Sequence, residues 1–172
     1  SFYDLSIQTL GNSVSAAVAA LNVTRNFTME ATNSGNFTAA ADLTVNNDFT
    51  MTAGNTGNFS TGSNTVEVTG ATNIDGGILE IAAGTFDANG DFDANGSTVT
   101  FTDNGTLKLG GNSGGTPDLG TLNDDAGLAN ISKGTVIYDN QGGPQTIYDA
   151  ANLGTGYLSL IHISEPTRPM NI

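Results

Sequence analysis

A drifting spacing of 20–23 residues, apolar-polar-apolar triplets and a chain crowded with Thr, Gly and Asn predict an all-β fold. Its class is a parallel β-helix, or β-solenoid, right-handed and wound in about seven coils of 20–23 residues. The spacing is read from near-copies. Asn26-Phe27-Thr28-Met29 is answered by Asp48-Phe49-Thr50-Met51, and Gly35-Asn36-Phe37-Thr38 by Gly57-Asn58-Phe59-Ser60, each 22 residues on. Leu21-Asn22-Val23, Leu43-Thr44-Val45 and Val66-Glu67-Val68 follow at steps of 22 and 23, whereas Leu79-Glu80-Ile81 and Val99-Thr100-Phe101 are 20 apart. Phe86 and Leu107 are 21 apart. Within a triplet the period is two, so its outer residues share one face and the middle residue takes the other.

Composition narrows the classes. Thr (24), Gly (23) and Asn (20) together make up well over a third of the 172 residues. Four Lys and Arg against a net charge of −13 exclude recognition of a phosphate backbone. No Cys means no disulfide framework and no thiolate metal site, and the single His removes most His-based catalysis. No apolar run approaches the roughly 18 residues that span a bilayer. The recurring Phe, Leu, Ile and Val argue against a disordered chain.

The elements follow in order. Val14 to Ala20 is Ala-rich and could turn as a short helix, but in this setting reads as a coil with small inward residues. Inward positions are Phe27, Met29, Phe37, Leu43, Val45, Phe49, Met51, Phe59, Val66, Val68, Leu79, Ile81, Val99, Phe101, Leu107 and Leu109. Phe27 on Phe49 and Phe37 on Phe59 are expected to stack as aromatic columns. Thr28, Thr38, Thr44, Thr50 and Thr100 line the outside, where a β-branch suits extended backbone and a hydroxyl meets water. Gly, Asn and Asp between triplets supply the corners. Residues 110–130 hold the densest turn signals and are expected to form longer loops leaving the coil. A leucine-rich repeat shares the period but needs several Leu per repeat, which these Thr, Asn and Phe-rich repeats lack. Seven coils at roughly 4.8 Å each would make a rod on the order of 35 Å long.

Residues 1–157 are read as one β-helix repeat block, a fragment of a longer chain. Residues 158–172 are read as a non-native tail: Leu158-Ser159-Leu160-Ile161-His162-Ile163-Ser164-Glu165-Pro166-Thr167-Arg168 closely resembles the translation of a transposase adapter used in short-read DNA library preparation. Gly134-Thr135-Val136-Ile137-Tyr138, then Gln145-Thr146-Ile147 and Tyr157, resembles a signature of large bacterial surface proteins of the Bacteroidota kind. Phe2-Tyr3-Asp4-Leu5-Ser6-Ile7 resembles the opening of such a block. The resemblance implies a secreted, cell-surface-displayed, adhesin-like protein, similar in architecture to filamentous-haemagglutinin and autotransporter passenger repeats. It implies a stalk or contact surface without catalysis. Its partners would be neighbouring β-helix repeats of the same longer chain and host or matrix glycans or proteins.

The densest set of oxygen ligands is Asp87 to Gly96. Asp91-x-Asp93-x-Asn95-Gly96 matches the first half of an EF-hand-type loop, which makes Asp91, Asp93 and Asn95 the candidate calcium ligands. The second half departs from it, because the twelfth position is Thr102 where a bidentate Glu is needed. Solvated turn residues are the plainer reading, and no other cofactor is indicated. A calcium- or carbohydrate-binding module is therefore the alternative function. Polysaccharide-degrading enzymes also use β-helices, but their acid–base chemistry needs clustered carboxylates. Here Asp42, Asp48, Asp75, Asp87, Asp91, Asp93 and Asp103 are spread along the chain. Outward threonines also raise an ice-binding face, although the Thr-x-Thr pairs at Thr50-Met51-Thr52 and Thr98-Val99-Thr100 do not recur in register. Seven Asn-x-Ser/Thr sequons are what 20 Asn among so many Thr and Ser produce.

Overall fold

The computed structural model describes residues 1–8, 11–15, 19–111, 117–124 and 133–139. The adapter-like tail, residues 145–147 and Tyr157 lie outside them. Among the described residues the chain is all β, with seventeen strands and no helix. The first coil contains β1 (Leu5–Ile7), β2 (Val14–Ser15) and β3 (Leu21–Val23), and the second β4 (Phe27–Met29), β5 (Phe37–Thr38) and β6 (Leu43–Val45). The third contains β7 (Phe49–Met51), β8 (Asn58–Ser60) and β9 (Thr65–Val68), and the fourth β10 (Thr72–Ile74), β11 (Ile78–Ile81) and β12 (Thr85–Ala88). The fifth holds β13 (Phe92–Asp93), β14 (Thr98–Phe101) and β15 (Thr106–Leu109); a bridge at Asp118, β16 (Thr121–Asp124) and β17 (Thr135–Tyr138) begin a sixth. Every strand pairs in parallel with its counterpart one coil away, which builds three sheets. The first sheet runs β1-β4-β7-β10-β13, the second β2-β5-β8-β11-β14-β16 and the third β3-β6-β9-β12-β15-β17.

The solenoid expectation therefore holds, with about five turns instead of about seven. Five turns make a rod of roughly 25 Å. The shortfall has two sources. The register step from Leu107 to Val136 is longer than any step upstream, and residues 140–157 lie outside the described ones. Most of the loop segment expected over residues 110–130 also lies outside them. Upstream, the drift in period sits at the two corners flanking the second sheet. Phe37 and Leu43 are six positions apart and Val99 and Leu107 eight, and the corner before that sheet varies more. Met51 and Phe59 are eight positions apart between the first and second sheets, but Ile74 and Leu79 only five in the next coil. The corner from third sheet to first stays at four positions, as from Val45 to Phe49 and from Val68 to Thr72.

All sixteen expected inward residues are buried, with at most 2% of their surface exposed. Phe27 and Phe49 stack at 5.1 Å with planes 5° apart, and Phe37 and Phe59 at 5.4 Å and 14°. The first column then breaks, because Thr72 takes the register position between Phe49 and Phe92. Phe86 of the third sheet fills the gap, its ring 5.4 Å from Phe49 and 6.4 Å from Phe92. Thr72 is fully buried and its hydroxyl has no hydrogen-bond partner. Val14 lies in β2, so the Ala-rich stretch enters as strand; residues 16–18 lie outside the described ones.

Two devices hold the corners together. Files of glycine run where successive coils touch: a Cβ on Gly57 would strike the Gly35 carbonyl, one on Gly77 the Gly57 carbonyl, and one on Gly90 the Gly70 carbonyl. Side-chain oxygens also cap backbone donors one coil on. Asp4 Oδ1 accepts from the Asn26 N–H, Asn26 Oδ1 from Asp48, and Asp48 Oδ1 from Ala71, at 3.1, 3.3 and 3.0 Å. Such stacked amides and carboxylates satisfy corner groups that the sheets leave unpaired.

Candidate functional surfaces

The calcium candidates sit on the outside of the fifth coil. Asp91 precedes β13, Asp93 is the outward residue of that strand beside Asn73, and Asn95 lies in the following turn; all three are exposed. Asp93 Oδ1 accepts the Asn95 N–H at 2.9 Å, so this carboxylate holds the turn. Thr102, at the twelfth position, lies beyond β14, where its hydroxyl donates to Glu80 Oε1 at 3.4 Å. The coil thus carries the second half of the motif along the second sheet. Among the described residues no group of three or more His, Cys, Asp or Glu is placed to hold a metal ion.

Stacking assembles polar files that a residue-by-residue reading scatters. On the third sheet, Asn22, Thr44, Glu67, Asp87, Lys108 and Ile137 stand in register on the outer face. Lys108 Nζ lies 2.6 Å from Asp87 Oδ2 and 3.4 Å from Asp139 Oδ2. The hydrogen bond to Asp87 raises the ammonium pKa; burial opposes this, and the two carboxylate charges add to it. The second oxygens of Asp87 and Asp139 are buried without a hydrogen-bond partner. Beside this file runs an unbroken one of Thr65, Thr85, Thr106 and Thr135. No local motif announces it, because the threonines belong to four different strands and share no Thr-x-Thr pair. The Thr-x-Thr pairs themselves do not recur: Thr50 stands between Thr28 and Asn73, and Thr100 between Glu80 and Asn123.

The second sheet carries Ser15, Thr38, Ser60, Glu80, Thr100 and Asn123 in one outward file. Ser60 donates to Glu80 Oε1 at 3.1 Å, and Thr100 to Asn123 Oδ1 at 2.6 Å. At the first coil, Arg25 lies over the Tyr3 ring at 4.6 Å, donates to its hydroxyl and pairs with Asp4 at 3.4 Å. The Tyr3 hydrogen bond, then the Asp4 charge, raise the pKa of this exposed guanidinium further. Phe2 stands in register with Val23 and so belongs to the inward set, yet half its surface is exposed. All these files follow from applying the repeat spacing to polar residues as well as apolar ones; Glu67, Asp87 and Lys108 show it directly.

No protein-family model, curated protein or solved structure matches this chain. The functional reading therefore rests on its own geometry.

Proposed function

We propose that this chain is a structural and adhesive module of a secreted bacterial surface protein. In this reading it is a rigid acidic stalk with an extended contact face, and it performs no catalysis. One observation supports it above the rest: three in-register parallel sheets run over a single unbroken apolar core through five coils. Each coil pairs with its neighbours through all three sheets, so stiffness comes from repetition. The partly exposed Leu5, Val14 and Leu21 at the first coil match the buried Phe27, Phe37 and Leu43 one coil on, a surface that a neighbouring repeat of the longer chain would cover. The outward files of hydroxyl, amide and carboxylate groups suit many weak contacts with host or matrix glycans or proteins.

Surface display on a non-adherent bacterium, with and without this chain between anchor and reporter, tests the proposal. Extension of the reporter from the cell and increased retention on glycan- or matrix-coated surfaces are expected. Retention unchanged from the anchor alone would remove the adhesive half. A reporter no farther from the cell would remove the stalk.

A further inference from the structure

We infer that Asn95 is a site of spontaneous covalent modification, deamidating through a cyclic imide in the folded protein while the chain's other two Asn-Gly pairs are protected. The three pairs are Asn89-Gly90, Asn95-Gly96 and Asn104-Gly105. In the reaction the Gly backbone nitrogen attacks the Asn side-chain carbonyl carbon. A new C–N bond closes the ring, the amide nitrogen leaves as ammonia, and its extra proton comes from the backbone N–H. Water then opens the imide at either carbonyl, giving aspartate or isoaspartate. Chemically the pairs are alike, because Gly places no side chain in the way of attack. Their surroundings differ.

Gly90 and Gly105 belong to the glycine files between coils. A Cβ on Gly90 would strike the Gly70 carbonyl, and one on Gly105 the Ala82 and Gly84 carbonyls. Moving either peptide toward the neighbouring side chain means separating two coils. Gly105 also accepts the Thr135 N–H through its carbonyl at 2.9 Å, and Asn89 Nδ2 donates to Glu67 Oε1 at 3.4 Å. Gly96 has nothing within 4 Å of its Cβ position and a φ of +79°. Asn95 and Gly96 are the two central residues of a β-turn closed by the Ser97 N–H to the Ala94 carbonyl at 2.9 Å. The peptide between the central residues of such a turn can rotate while the closing bond stays intact. Asn95 is exposed and its side-chain amide makes no hydrogen bond among the described residues. The ring can therefore close without opening a coil.

Peptide mapping of the folded chain after ageing at mildly alkaline pH, beside a sample aged in concentrated urea, decides it. In the folded sample Asn95 should convert faster than Asn89 and Asn104 by at least about tenfold, the ratio that a local opening cost of about 1.4 kcal/mol sets. In urea the three should react at similar rates. Conversion of Asn89 or Asn104 as fast as Asn95 in the folded chain would overturn the inference. So would an Asn95 that reacts only in urea.

Discussion

Phe49→Ala probes the core where three other rings surround one side chain. Phe49 lies in the third of five coils, fully buried, with the rings of Phe59, Phe27 and Phe86 at 4.8, 5.1 and 5.4 Å. Truncating a buried Phe costs about 3–5 kcal/mol through lost transfer energy and the cavity left behind. Aromatic pairs contribute about 0.5–1.5 kcal/mol each beyond area, which places this site near the top of that range, at about 4–5 kcal/mol. The cavity cannot collapse easily, because the backbones above and below are fixed at strand spacing. With a urea m-value of about 2 kcal/mol/M, the unfolding midpoint should fall by about 2 M. Phe101→Ala is the matched control: Phe101 is equally buried, but its ring stacks on no other ring among the described residues. Its cost should be about 3 kcal/mol. Far-UV circular dichroism against urea reads both, since the chain has no Trp for fluorescence. A Phe49→Ala midpoint shift under about 0.5 M, or a larger loss for Phe101→Ala, would refute the packing argument.

Three further outcomes are expected. Asn55→Ala removes the oxygen that accepts the Gly57 N–H at 3.0 Å and the Asn33 amide at 2.9 Å, inside a corner where both Asn are buried. It should cost about 2–4 kcal/mol by urea titration, and a cost near zero would mean that water replaces the side chain. Thr72→Val keeps the shape and deletes an unpartnered buried hydroxyl, so it should raise stability by about 1 kcal/mol; a loss would show that the hydroxyl has a partner in solution. Lys108 has a raised folded-state pKa, so its stabilisation is fully present below the unfolded value of about 10.4 and is lost as pH rises through the folded one. Wild type should therefore exceed Lys108→Met by about 1 kcal/mol at neutral pH, with the gap closing above about pH 10.4. A gap that is independent of pH would assign the difference to packing of the lysine stem.

The apolar triplets made the core legible because inward residues must repeat wherever a coil closes. Phe27 and Phe49 have no freedom to drift out of register without exposing a ring. Where the core breaks its own rule, the signal fails. Thr72 stands in an aromatic column, and the compensation comes from Phe86 on a different sheet. Asn33 and Asn55 point inward although their residue type reads as a turn. The Asn33 amide donates to Asn55 one coil on, a partner that only stacking can supply, and each amide also donates to the carbonyl two residues ahead, at Gly35 and Gly57. The coil count is misled because a mean period hides the long step from Leu107 to Val136 among shorter ones, and residues 140–157 lie outside the described ones.

Surface chemistry was the least legible for a related reason. On a solenoid, neighbours along a strand alternate between core and solvent, while neighbours across strands share a face at about 4.8 Å. Acids that look dispersed along the chain therefore meet. Glu67 and Asp87 are a full coil apart in sequence yet adjacent in register, and Lys108, one coil further on, is the cation that separates them from Asp139. Their like charges would otherwise destabilise the pairing. The half EF-hand motif shows the same geometry in reverse: Asp91, Asp93 and Asn95 are close in sequence, but the strand that follows carries Thr102 to another sheet. A partner approaching the third sheet would meet Thr65, Thr85 and Thr106 beside Glu67, Asp87 and Lys108. That patch is drawn from three coils, and no short window of consecutive residues contains it.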